Sequence, residues 1–466
     1  MKRAVPLIIS FIASFLLIGC SKSYLEVMKD PEKYFYQENY KKAAELVQPL
    51  AKKKGKDQLL YMMECGYIYH AAGDFPGSNK ILLPASDLAK VVPVSISKQA
   101  ASLFTNETVT NYRGEDFEKV LVHMYLGINF LMMNYHDEAR VEFKAVNNEL
   151  AKIKSENGEA RYKQNIMAKY LTAVAYEISG EIDNDPEDLE FAYIEYQQIL
   201  KLKPDYEPVK RDLVRLAAKL DYQDDYSQWL KQFSLKDNYD PESGEVILIY
   251  QSGRCAIKKS RGKLLEDRAM KTALVATLAT GNLAAGVTVG GVMATLGNVQ
   301  NPIPRFVRRP GKIEQCVIRI GNTSCKTQTL EDISTTAINN MDDMYPLLAG
   351  KVAASIAVKA AASVAAGIAA KKITEGAGGK SSLGTILGIL AGVGTGAALF
   401  SQVKPDLRCW HTLPDKLQLA RMRLKPGTYK AVLEFKDASG TLIKEKNIEL
   451  TVEKGKKVFI NERTLI

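Results

Sequence analysis

The residue with the clearest chemical assignment in this chain is Cys20. Its thiol closes Leu17-Ile18-Gly19-Cys20, the setting in which bacteria cut a signal peptide and attach acyl chains to sulfur. Upstream stand Lys2 and Arg3, then an apolar stretch from Val5 to Ile18. A charged start, a short apolar run and a small residue before the cut are the parts of a secretory signal. The run is too short for a membrane span, which needs ~20 residues. Residues 1–19 are therefore expected to be removed and Cys20 to carry lipid. Each buried acyl methylene would contribute ~0.8 kcal/mol to anchoring. Ser21, rather than Asp, follows the cysteine, which by the enterobacterial sorting rule favours the outer membrane over the inner.

The other reactive residue types are sparse. Cys255, Cys316, Cys325 and Cys409 are candidates for disulfides, which form outside the cytoplasm. Cys316 and Cys325 flank a turn at Gly321-Asn322, and Cys255 and Cys409 are the remaining pair. Four cysteines allow three pairings, and sequence does not choose among them. Cys65 sits in an apolar helix as a buried thiol. The four histidines, His70, His123, His136 and His411, show no metal-binding spacing. Thr374 to Ser381 resembles a phosphate loop, but Thr374 replaces the first Gly and a helix precedes it, so a hairpin turn explains it better. No catalytic set, metal site or cofactor site is expected.

The elements that would hold these residues fall into two halves of a 466-residue chain with net charge +10. That excess is mild, and outside the cytoplasm it does not suggest nucleic acid. From Asp30 to Phe233 helix formers dominate, with turn signals at repeat-like intervals. Met62 to Ala85 resembles a tetratricopeptide repeat. Gly66 and Tyr69 lie on the first helix, Gly73-Asp74-Phe75 turns, and Ser78, Leu82 and Ala85 lie on the second. Further units carry Gly127, Phe130, Ala139 and Phe143, then Tyr176, Ala192, Tyr196 and Pro204. Tyr40 and Ala43 fit a partial unit. One helix pair cannot bury its own apolar face, so such pairs stack, and their concave side usually holds a partner; the alternative is that the array only packs on the back half.

After a linker at 236–244 the period changes to two. Strands are expected at Glu245–Gln251, Phe306–Arg308, Cys316–Ile320, Ser324–Gln328, Leu417–Leu424, Tyr429–Phe435, Lys446–Val452 and Val458–Asn461, with a helix over Asp332–Met344. The fold class is thus α+β: TPR-like helical repeats over 20–235, then an antiparallel β-sandwich-like domain over 236–466. Two nearly uncharged Gly/Ala-rich helical insertions, 272–304 and 351–403, interrupt the strands. In the second, Val352, Ile356, Ala360, Val364 and Ile368 form a stripe, and Gly384, Gly388, Gly392 and Gly396 form a glycine zipper against which a helix can pack closely. Burial against the sheet and entry into a bilayer compete here. Lys359 would cost ~2.5–3.5 kcal/mol at a bilayer centre, which favours burial.

Phe117-Glu118-Lys119-Val120-Leu121-Val122-His123, Trp410-His411-Thr412-Leu413-Pro414, Gln418-Leu419-Ala420-Arg421 and Leu424-Lys425-Pro426-Gly427-Thr428-Tyr429 carry a further likeness. Through them the mature chain resembles a family of bacterial envelope lipoproteins with a tetratricopeptide-like front half, a β-rich back half and no settled activity. The resemblance implies a lipid-anchored protein on the periplasmic face of the outer membrane, binding unidentified envelope proteins rather than acting as an enzyme. The alternative is a membrane-inserting subunit of a pore or secretion complex, working through the glycine-zipper helices.

Overall fold

The computed structural model describes residues 22–91, 111–153, 164–236, 240–280, 289–376 and 404–465. Cys20 and the zipper residues Gly384, Gly388, Gly392 and Gly396 lie outside them, as does most of the 90–113 insertion.

Among the described residues, five helix pairs build the front half: α1 (Tyr24–Tyr36) with α2 (Tyr40–Lys52), α3 (Gln58–Ala71) with α4 (Phe75–Val91), α5 (Asp116–Met132) with α6 (His136–Lys152), α7 (Ile166–Ile182) with α8 (Pro186–Leu202), and α9 (Glu207–Lys219) with α10 (Gln223–Phe233). The turn inside each pair has one construction. A left-handed residue stands at Glu38, Gly73, Asn134, Asn184 and Asp221. The next N–H then returns to the carbonyl five residues back: Asn39 to Tyr34, Asp74 to Tyr69, Tyr135 to Phe130, Asp185 to Gly180 and Tyr222 to Ala217. This bond satisfies a carbonyl that the helix end would otherwise orphan. The periodicity is therefore stricter in backbone geometry than in sequence, where only the Gly73 and Asn134 turns stand out.

Small residues do what the repeat pattern requires. A Cβ built on Gly66 would lie 2.4 Å from Leu82, and one on Gly127 would lie 2.4 Å from the Phe143 ring. The two helices of each of these pairs approach because those positions carry no side chain.

The described part of the back half contains two four-stranded sheets. In the inner one, β1 (Gly244–Ser252), β6 (Gln328–Asp332), β7 (Lys416–Leu424) and β10 (Lys457–Arg463) lie in the order β10-β1-β7-β6. In the outer one, β4 (Gln315–Ile320), β5 (Thr323–Lys326), β8 (Gly427–Lys436) and β9 (Leu442–Val452) lie in the order β5-β4-β8-β9. A short ribbon pairs β2 (Arg254–Lys259) with β3 (Arg305–Arg309). The purely antiparallel expectation is corrected at one place: β1 and β10 run parallel. β10 enters after the chain has crossed from β9, at the edge of the outer sheet, to the inner one, so it arrives in the same direction as β1.

Side-chain alternation explains the layering. On β1, Val246, Leu248 and Tyr250 face the outer sheet and share a core with Ile318, Leu433 and Phe435. Ile247 and Ile249 face the opposite way, into the core shared with the helices. Every β1 residue is buried, as expected of a strand covered on both faces. The molecule is thus three layers deep: helices, inner sheet, outer sheet.

The apolar insertions pack inward where they are described. α11 (Arg268–Thr280) buries Met270, Leu274 and Leu278, and α12 (Val289–Thr295) buries Val292. α13 (Ile333–Gly376) buries Ile333, Ala337, Met341, Tyr345, Leu348, Val352 and Ile356, a stripe at helical spacing. No helix among the described residues is long and apolar enough to cross a membrane.

Candidate functional site

The first helix of each pair turns its face toward the inner sheet, and the central ones are almost wholly buried: α3, α5 and α7 each leave few positions to solvent. The concavity expected to hold a partner is filled by the chain's own back half. Two polar assemblies make that joint.

The first receives the segment 406–415. Glu64 of α3 accepts the N–H of His411 at 2.6 Å, the N–H of Thr412 at 3.2 Å and the hydroxyl of Thr412 at 2.6 Å. Tyr24 of α1 also donates to Glu64, at 2.6 Å. Glu118 of α5 accepts the Trp410 N–H at 2.7 Å and the Tyr112 hydroxyl at 2.5 Å. Arg408 reaches Asp57 at 2.6 Å and Asp406 at 2.6 Å. The His411 carbonyl accepts from Tyr36 at 2.8 Å and Arg309 at 2.6 Å. Helix carboxylates thus satisfy the backbone donors of an irregular segment with a turn at His411-Thr412. Burial pushes the Glu64 carboxyl above its ordinary value. Further along, His70 lies between Asn129 Oδ1 and Gln251 Nε2, both at 2.6 Å. Asn129 Nδ2 donates to Ser78 and Asn79, which fixes its carbonyl toward His70. His70 is therefore neutral, with its proton on Nδ1, and burial holds it down at about 4.

The second assembly centres on Arg421 of β7. Its guanidinium donates to Glu177 Oε1 at 3.0 Å, to Glu245 Oε2 at 2.9 Å and to the Tyr196 hydroxyl at 2.9 Å, and it lies 3.1 Å from Asp212. Arg215 of α9 approaches Glu177 at 2.7 Å, and Lys457 of β10 approaches it from the other side, also at 2.7 Å. All these side chains are nearly inaccessible to solvent. Burial raises the cost of a charged Glu245, yet Arg421 and Lys457 outweigh it and hold that carboxyl at about 2. Glu177 is likewise held well below the ordinary range by Arg215, Arg421 and Lys457 against its burial. Asp212 goes the other way: burial outweighs its cations and raises it.

Clefts among the described residues include two beside this joint. One, of about 1010 Å³, lies where the α5–α6 and α7–α8 turns meet the β9–β10 turn. Leu131, Ile178, Ile182 and Phe459 give it apolar wall, and its lysines are ion-paired: Lys219 with Glu181, Lys454 with Glu242, Lys456 with Glu453, and Lys457 with Glu177 and Glu181. The other, of about 420 Å³, lies beside the Arg421 assembly between α9, β5 and β7.

The candidate residues read from sequence scatter. Cys255, Cys316, Cys325 and Cys409 are unbridged in this structure. For Cys316 and Cys325 the reason is register. Cys325 stands opposite Ile318, two residues from Cys316, and its thiol donates to the Arg421 carbonyl at 3.5 Å. His123 pairs with Glu142 at 2.6 Å, and His411 meets Glu32 at 3.2 Å. The residues of the family-like motifs, by contrast, converge: Glu118, Trp410, His411, Thr412 and Arg421 all lie in the joint. Glu64, Glu177, Asp212 and Glu245 do not stand out in the sequence. The available signal is a lone carboxylate between apolar neighbours, as in Met62-Met63-Glu64-Cys65 and Ala175-Tyr176-Glu177-Ile178.

No protein-family model matches this chain, and no curated protein matches it significantly. Among solved structures it is similar to a Podosopora anserina putative kinesin light chain with nearly identical TPR-like repeats. The crystal structure of that protein shares 14% identity and the crystal structure of a single-site variant of it 13%, each with a TM-score of 0.30. Each match covers 44% of this chain, and 90% and 89% of the other chain respectively.

Proposed function

We propose that this protein is a lipid-anchored scaffold of the bacterial cell envelope, held at the periplasmic face of the outer membrane by Cys20. It binds a protein partner outside the filled concavity, in the 1010 Å³ cleft between repeat turns and the β9–β10 turn. That cleft carries the reading, because it is built jointly by both halves and combines an apolar wall with the solvent-exposed Lys454 and Lys456 at its rim. A partner segment that fits is extended, with apolar side chains and carboxylates. The anchor suits this role. The few steps of chain from Cys20 to Tyr24 reach at most about 14 Å, and Tyr24 is fixed in the core by Glu64. The body would therefore sit directly on the bilayer and present a fixed orientation to a neighbour.

Deleting the front half would expose the inner sheet and its buried charges, so point changes test the proposal better. A photo-crosslinking residue placed at Lys456 should capture a defined envelope protein in the native bacterium, and Ile182→Glu should abolish that capture. Capture unchanged by Ile182→Glu, or none from Lys456, would overturn the assignment of the cleft. Failure of palmitate to label the wild type would overturn the anchor.

A further inference from the structure

We infer that the smaller cleft is a binding site for a small oxyanion, a molecule bearing a carboxylate or phosphate group. It is bounded by α9, by the entry to β1, by β5 and by β7, and its volume of about 420 Å³ lies in the range of small-molecule sites. Five cations line it, Arg211, Arg215, Lys236, Arg421 and Arg423, against three carboxylates, Asp212, Asp240 and Glu245.

Those carboxylates are already used. Asp212 accepts from Tyr170 at 2.6 Å and from Arg215 at 3.3 Å. Glu245 takes Arg421 and lies 3.7 Å from Arg423. Asp240 accepts from the Glu242 N–H at 3.0 Å and the Ser243 hydroxyl at 2.9 Å. The donors are not exhausted. Arg215 has a side chain only 5% exposed, and its Nη1 has no hydrogen-bond partner among the described residues. That nitrogen is sealed from solvent, so an anion in the cleft meets the exposed side chains of Arg211 and Lys236 first. Arg211 stands exposed at the mouth, where it can close over a bound group. Guanidinium forks match the planar geometry of carboxylate and phosphate oxygens, which selects these over halide. The hydroxyls of Thr323 and Ser324 on the opposite wall add neutral donors.

The test is calorimetric titration of the mature full-length chain with inorganic phosphate and, separately, with succinate, at constant ionic strength. Saturable binding of at least one is expected, and whichever binds names the group. Arg211→Ala, an exposed change that leaves the fold intact, should weaken it about tenfold or more. Lys42→Ala on α2, far from the cleft, should leave it unchanged. No saturable binding of either anion, or equal affinity in wild type and Arg211→Ala, would overturn the inference.

Discussion

Replacing Arg421 with Met tests whether the Arg421 assembly binds the two halves together. The change keeps most of the length of the side chain and removes its charge. Glu177, Asp212 and Glu245 would then share Arg215 and Lys457, with Arg423 3.7 Å from Glu245 at the edge. Stranding a buried carboxylate in this way costs about 3–5 kcal/mol, far more than the loss of an exposed pair. In urea that corresponds to a midpoint lowered by about 1–2 M. Trp410, buried beside Glu118, reports the transition by fluorescence. The deficit should also depend on pH with a fixed sign. Asp212 is already raised by burial, so it is the group that takes up a proton when Arg421 is lost. A carboxyl whose folded value exceeds its unfolded one contributes stability at low pH and loses it as pH rises. The variant should therefore approach wild type near pH 5 and fall furthest behind near pH 8, both chosen as about one to four units above an ordinary carboxyl. A loss below about 1 kcal/mol, or one equal at both pH values, would refute the reasoning.

Gly127→Val should cost about 1–3 kcal/mol by driving a side chain into Phe143, seen as a lower melting temperature; an unchanged melt would mean that the α5–α6 approach is looser than described. His70 is held at about 4, below its unfolded value of 6.5, so it favours the fold above pH 6.5 and that contribution is lost as pH falls toward 4. The loss amounts to about 3 kcal/mol, and His70→Gln should flatten this part of the stability profile. A Cys20→Ala form should take up no labelled palmitate while the wild type does. Unfolded in denaturant without reductant, the chain should titrate for thiols at Cys65, Cys255, Cys316, Cys325 and Cys409; fewer would mean that a bridge forms.

Most elements and their order are legible in the residues alone. A continuous β-branched and apolar run between glycines marks the strand at Glu245–Gln251, as befits a strand covered on both faces, and period-two alternation marks Tyr429–Phe435 and Lys446–Val452, because a strand covered on one face sorts its side chains. Gly66 and Gly127 mark where paired helices touch, because only glycine fits there. The proposed export signal is likewise a local pattern, readable without a fold. Which polar residues meet is a different matter, settled by packing. Glu64, Glu118, Glu177 and Asp212 look like ordinary helix-surface carboxylates, since a helix does not record what covers it. Their burial depends on β1, β7, β10 and the segment 406–415 lying across the concave face, with partners as far as 348 residues apart in the chain. The same contact turns a groove that the repeat pattern reserves for a partner into the chain's own core. Pairing of charges over such separations is set by register and packing, and neither is written in local periodicity.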